Sequence, residues 1–82
     1  MLKLVYFASL REQLGTDQES LALPEGVETV AQLTDYLIAR GDGWQPLAAA
    51  NLLVAVNQEM VDQDCVIQGD EEVAYFPPVT GG

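Results

Sequence analysis

The sequence predicts an α+β domain, a mixed sheet with one main helix packed across one of its faces. Three observations predict it. β-rich segments open and close the chain, Leu2 to Ala8 and Val73 to Phe76, and each alternates its side chains between two faces. Between them, Val30, Leu33, Leu37 and Ile38 recur at the spacing of a core-facing helix. Finally, 82 residues that are 49% hydrophobic, with no internal repeat or low-complexity tract, make one folded domain with a small core.

In the first strand, Leu2, Leu4, Tyr6 and Ala8 share one face, and Lys3, Val5 and Phe7 share the other. A helical turn from Leu10 to Leu14 follows and is closed by Gly15. Glu19 to Leu23 reads as a second strand that ends at the Pro24-Glu25-Gly26 turn and pairs with the first as an edge hairpin. The main helix starts at Thr29, with Gln32 completing a capping box, Glu28 beside the positive helix end and Val27 placed to staple against Leu33. Arg40 sits in its last turn and Gly41 is placed for a left-handed cap. Gly41-Asp42-Gly43 is a loop, because a phosphate-binding fingerprint needs a strand before it and a helix after it. Trp44 to Ala50 is expected to form a short second helix, and Leu52 to Val56 an apolar strand. Asn57-Gln58-Glu59 then turns the chain into Met60-Val61, and Asp62 to Asp64 continue as a polar loop. The run Gly69-Asp70-Glu71-Glu72 reads as a solvated turn into the last strand and not as a metal site. Strand, strand, helix, strand, strand, with the helix on one face, is the β-grasp arrangement, in which the first and last strands are parallel neighbours at the centre.

Composition excludes several functions. The formal net charge of -10, thirteen acids against Lys3, Arg11 and Arg40, argues against nucleic acid and anionic membrane surfaces and favours a basic protein partner. The chain has no histidine and a single cysteine, Cys65, so it has no Ser-His or Cys-His pair, no internal disulfide and no His-based or multi-thiolate metal site. Cys65 reads as a small, semi-buried apolar residue. The N-terminal apolar run is too short for a signal sequence, and Leu47 to Val56 is too short to span a membrane, so a cytoplasmic protein is expected.

The end of the chain carries the functional signal. Pro77 and Pro78 cannot donate to a sheet, so the last strand stops and residues 77–82 leave residues 1–76 as an extended tail, reaching roughly 15–20 Å at the polyproline rise. It ends in Gly81-Gly82, whose lack of side chains suits a narrow channel. Such a tail is built to deliver a terminal carboxylate into a partner's cleft.

Tyr6-Phe7-Ala8 with Leu10-Arg11-Glu12, then Ala55-Val56-Asn57, Gly69-Asp70-Glu71 and Phe76-Pro77-Pro78-Val79-Thr80-Gly81-Gly82 together resemble the molybdopterin synthase small-subunit family, over the whole chain. The resemblance implies a ubiquitin-like sulfur carrier. In that family an E1-like adenylating enzyme uses ATP and magnesium to adenylate the carboxylate that maps onto Gly82. Sulfur from a donor enzyme's persulfide then displaces AMP to leave a thiocarboxylate. The large subunit, in an implied heterotetramer, would receive Val79, Thr80, Gly81 and Gly82, hold the pterin precursor and supply the basic groups this chain lacks. The domain itself binds no cofactor or metal in this reading. A thiamine-pathway sulfur carrier and a ubiquitin-like protein modifier would share the Gly-Gly end, with the Pro77-Pro78-Val79-Thr80 spacer favouring the molybdenum pathway. A binding module with an inert tail stands as an alternative of another class.

The partner surface is expected on the sheet face away from the helix. If Leu4, Tyr6, Val73 and Tyr75 point into the core, the two-residue period puts Val5, Phe7, Ala74 and Phe76 on the opposite face. Phe7, Phe76 and Met60 would then form an apolar patch at the root of the tail, beside Pro77 and Pro78. The alternative is that these aromatics pack under a loop of the same chain.

Overall fold

The computed structural model describes residues 1–49 and 52–77, and the chain runs through β1 (Leu2–Tyr6), α1 (Ser9–Leu14), β2 (Gln18–Leu21), α2 (Val30–Ile38), a 3-10 helix (Asp42–Ala48), β3 (Leu53–Val56), β4 (Glu59–Val61) and β5 (Glu72–Phe76). The five strands form one sheet in the order β2-β1-β5-β3-β4. β1 and β5 pair in parallel at its centre, and the other neighbours pair antiparallel. This is the β-grasp arrangement expected from the sequence. Leu2, Leu4, Tyr6, Val73 and Tyr75 of the central strands are buried together with Val30, Leu33 and Leu37 of α2 and Leu47 of the 3-10 helix.

Local chemistry explains where each element starts and stops. At the start of α2 the capping box is complete: the Gln32 amide donates to Thr29 Oγ1 at 3.3 Å, and Gln32 Oε1 accepts from the Thr29 amide at 3.1 Å. β1 ends at Tyr6, so Ala8 does not continue its inward face as the alternation had suggested. Ala8 is exposed at φ 54°, because the chain is already bending into α1 through the Leu10 amide to Phe7 and the Arg11 amide to Ala8 carbonyl bonds, both 3.1 Å. β2 is also shorter than Glu19 to Leu23. Its pairing with β1 runs out at Leu21, opposite Leu2, the first residue of β1, and the Met1 ammonium beyond it is held by Asp70.

Two elements differ in kind from the sequence reading. Met60 and Val61 belong to a fifth strand, β4, and not to a loop. Asn57 and Gln58 both take positive φ, 52° and 71°, which makes the two-residue hairpin turn whose twist matches its strands. Asn57 also ties that turn to β5, its amide donating to the Glu72 carbonyl at 2.8 Å and its Oδ1 accepting from the Glu72 amide at 3.1 Å. The segment expected to be helical over Trp44 to Ala50 is a 3-10 helix over Asp42–Ala48, with Pro46 inside it. A proline has no amide to donate, so the run stays in short, tight turns, and Leu47 is its buried contact. Residues 50 and 51 lie outside the described residues.

The end of α2 shows why. The helix is capped at Ala39, one residue before Arg40, and Gly41 adopts φ 148° rather than the left-handed cap. Arg40 leaves the helix axis to make a bidentate pair with Glu19 of β2, both bonds 3.0 Å, and its guanidinium lies 4.6 Å from the Trp44 ring centroid. Tyr6 donates to the same carboxylate at 2.9 Å and meets Trp44 edge-on at 5.8 Å. The Glu19 hydrogen bonds hold the guanidinium more firmly protonated than usual. Burial, reinforced by Glu19, pushes the Tyr6 phenol well above its ordinary range. This cluster closes the core beneath the edge strand β2.

A second polar contact lies deeper. Thr34 is the one buried polar residue among those described; its hydroxyl stands 2.9 Å from both the Val30 carbonyl and the Tyr75 hydroxyl. Burial pushes the Tyr75 phenol up to about 12, with the Thr34 bond partly offsetting the shift. An unfolded phenol ionises near 10, so the stabilisation from keeping Tyr75 protonated is intact below that pH and is lost as pH rises towards 12. Urea unfolding across this alkaline window is therefore expected to show stability falling, with Tyr75 contributing at most about 1.4 kcal/mol per pH unit. Tyr75→Phe lacks the ionisable group, and Thr34 keeps its Val30 partner, so its decline is expected to be shallower. Equal slopes for the two proteins would remove the linkage.

Candidate functional site

The parallel register sets the site. Leu4 pairs with Val73 and Tyr6 with Tyr75 on the helix side, so Lys3 beside Glu72 and Val5 beside Ala74 face the other way. Phe7 and Phe76 continue the outward set, and their rings stack with centroids 4.7 Å apart and planes 4° from parallel. Phe7 is 42% exposed and Met60 59% exposed, while Phe76 is half-buried. The expected patch is therefore present, and no described loop covers it.

Its shape follows from side-chain size. Val5, Ala74, Ala55 and Met60 are successive partners across four strands, and the two alanines at the middle of this row leave a depression. The result is an open groove of about 440 Å³ whose walls include Phe7, Phe76 and Met60. The neighbouring row adds a residue that the sequence reading missed. Leu53 is the partner of Phe76, is 38% exposed and extends the aromatic pair across β3. The same alternation could have found it, since Val54 and Val56 point inward and leave Leu53 and Ala55 outward.

Pro77 lines a second, uncharged groove with Ser9, Gln13 and Gln45, so the residue after Phe76 faces a different concave surface. Pro78, Val79, Thr80, Gly81 and Gly82, the remaining tail residues expected to act, lie outside the described residues. Cys65 is half-buried against the core, 3.6 Å from the Val66 carbonyl. In the acidic turn, Asp70 takes the Met1 ammonium at 2.7 Å, and Glu71 is used locally by Gln68 and Asn57. Among the described residues no group of acidic or sulfur side chains is arranged to hold a metal ion, and no helix is long and apolar enough to cross a membrane.

The model of the ThiS family matches residues 4–82, which include all of the groove-bearing face except Lys3, and the tail. The chain belongs to the ThiS family. It is 42% identical over 83 residues to the molybdopterin synthase sulfur carrier subunit of Escherichia coli K12, covering all of both chains. It is 36% identical over 83 residues, again with full coverage of both, to the subunit of that name from Haemophilus influenzae. Among solved structures it superposes on SAMP1 from Haloferax volcanii with a TM-score of 0.77, covering 99% of this chain and 98% of that one, at 24% identity. That last likeness shows the fold alone.

An outward aromatic pair contributes less to folding than an inward one. Truncating Phe7 or Phe76 to Ala is expected to cost about 1 kcal/mol, a fall in Tm of roughly 4–8 °C, because much of each ring is already in water or against the other. Tyr75→Ala, by contrast, empties the core and is expected to cost about 3–5 kcal/mol. Thermal unfolding of the three variants checks this order; comparable losses would make the outward pair part of the core.

Proposed function

We propose that this chain is the sulfur-carrier subunit of a molybdopterin synthase, docking through the Phe7, Phe76 and Met60 face and delivering sulfur on its C-terminal glycine. The observation that carries the reading is full-length 42% identity to a protein of that name, on a chain that ends in Pro77-Pro78-Val79-Thr80-Gly81-Gly82. The groove next to the tail root supports it, because a partner seated there also receives the tail.

The chemistry asks little of this chain's side chains. A Gly82 carboxylate oxygen attacks the α-phosphorus of ATP on an activating enzyme, and pyrophosphate leaves. The acyl-adenylate then has a good leaving group. A persulfide sulfur from a donor protein attacks the acyl carbon and AMP departs; a thiol then cleaves the S–S bond, leaving a thiocarboxylate on Gly82. In the complex with the large subunit, that sulfur is the nucleophile towards the pterin precursor, and this chain contributes positioning. ATP and magnesium belong to the activating enzyme. The lone thiol Cys65 fits a reducing cytoplasm as the compartment.

Deleting Gly82, or adding one residue after it, is expected to abolish thiocarboxylate formation when the protein is incubated with the activating enzyme, ATP and a sulfur donor, with circular dichroism unchanged. Intact mass reads the exchange of oxygen for sulfur; sulfur gained at the C-terminus of either variant sinks the mechanism. For docking, Phe76→Ala is expected to weaken the complex with the large subunit at least about tenfold, as truncation of a central aromatic anchor does. Unchanged affinity in calorimetry would move the docking surface elsewhere.

A further inference from the structure

The outward side chains of β1, of Phe7 just beyond it and of β5 form three rows: Lys3 registered with Glu72, Val5 registered with Ala74, and Phe7 stacked on Phe76. The rows grade from charged to aromatic towards the tail root. Lys3 is the only lysine of the chain, and Glu72 is its neighbour across the parallel pair. Both line the groove at the end away from the tail, and neither side chain takes part in an ion pair among the described residues. Their backbones are engaged, Lys3 with the Glu71 carbonyl and Glu72 with Asn57, so their side chains are free of any role in holding the strands.

Reach decides whether a docked partner meets them. Four residues of strand separate this row from the aromatic row, about 13 Å at 3.3 Å per residue. A standard protein interface of about 800 Å² per partner is a disc of roughly 16 Å radius. Centred on the Phe7–Phe76 pair, such an interface covers Lys3 and Glu72 as well. Taking both charges out of water without partners is costly, so a surface that fits this face must offer opposite charges to them.

We propose that Lys3 and Glu72 form a directional charge pair that orients the protein docked on this face, Lys3 meeting a carboxylate and Glu72 meeting a cation on the partner. The aromatic row alone is nearly symmetric across the sheet and does not fix which way a partner lies along the strands. A charged row at one end and an aromatic row at the other supply that direction, and with it the side of the partner that the tail enters. The inference rests on the docking face proposed above.

Charge reversals test it, with binding to the large subunit of the synthase measured by calorimetry on the full chain. Lys3→Glu makes the net charge more negative and Glu72→Lys makes it less negative. Long-range attraction to a basic partner would therefore move affinity in opposite directions for the two. Directional recognition expects both to weaken binding by about tenfold or more. The double exchange Lys3→Glu with Glu72→Lys keeps the net charge at -10 and keeps the cross-strand attraction, yet presents the pair reversed. It is expected to remain about tenfold or more weaker than the parent, with an unchanged melting temperature. Lys3→Met and Glu72→Gln, which keep the side-chain length, serve should a reversal perturb folding, and each is expected to weaken binding. Opposite effects of the two reversals, no effect of either, or parental affinity in the double exchange each overturn the proposal. If Phe76→Ala weakens binding while the charge variants do not, the docking face stands and only the directional pair falls; if none of them weakens binding, both fall.

Discussion

The hydrogen-bonded parallel pairing of β1 with β5 is the constraint on which the rest of the structure depends. Because the strands run the same way, residues at equal height share a face, and the two-residue period separates Leu4, Tyr6, Val73 and Tyr75 from Lys3, Val5, Ala74, Phe7 and Phe76. A slip of one residue in either strand would carry charged side chains into the core and tyrosines into water. That penalty holds the register. The same pairing brings β5 to its end beside Phe7, so the chain leaves the sheet at the aromatic end of the outward face.

The inward face carries polar atoms as well as apolar bulk, and each is met. Tyr6, Glu19 and Arg40 satisfy one another beside Trp44, and Thr34 meets Tyr75. None of the described buried side-chain polar atoms lacks a partner, which is what makes two buried phenols tolerable in so small a core. Glu19 also anchors β2. A strand at the edge of a sheet is open to unwanted pairing, and one whose central carboxylate is held by Arg40 and Tyr6 from the helix side is pinned to its own domain.

Division of labour follows from this architecture. The core uses the aromatic phenols and one arginine for structure, and the chain has no histidine, so it has few side chains with which to move protons. In the carrier role proposed above the reacting group is a backbone terminus, and the domain's task is to present it. A rigid sheet face with a groove at the tail root suits that task better than a loop would, since packed strands hold Phe7 and Phe76 in place before any partner arrives.

By itself the sequence determined what depends on local period and local chemistry. The alternation in the first and last strands, the Thr29 and Gln32 capping box, the stripe on α2 and the two prolines after Phe76 are short-range signals, and most of the fold and the Phe7, Phe76 and Met60 patch followed from them. Tertiary structure decided what depends on partners distant in the chain. Whether Arg40 finishes α2 or leaves it depends on Glu19, twenty-one residues away. Leu53 joins the face only because β3 pairs with β5, and the groove exists because Ala55 and Ala74, nineteen residues apart, come into register. Those contacts are set by burial and by pairing across strands, and no window of sequence short enough to show a period contains both of their members.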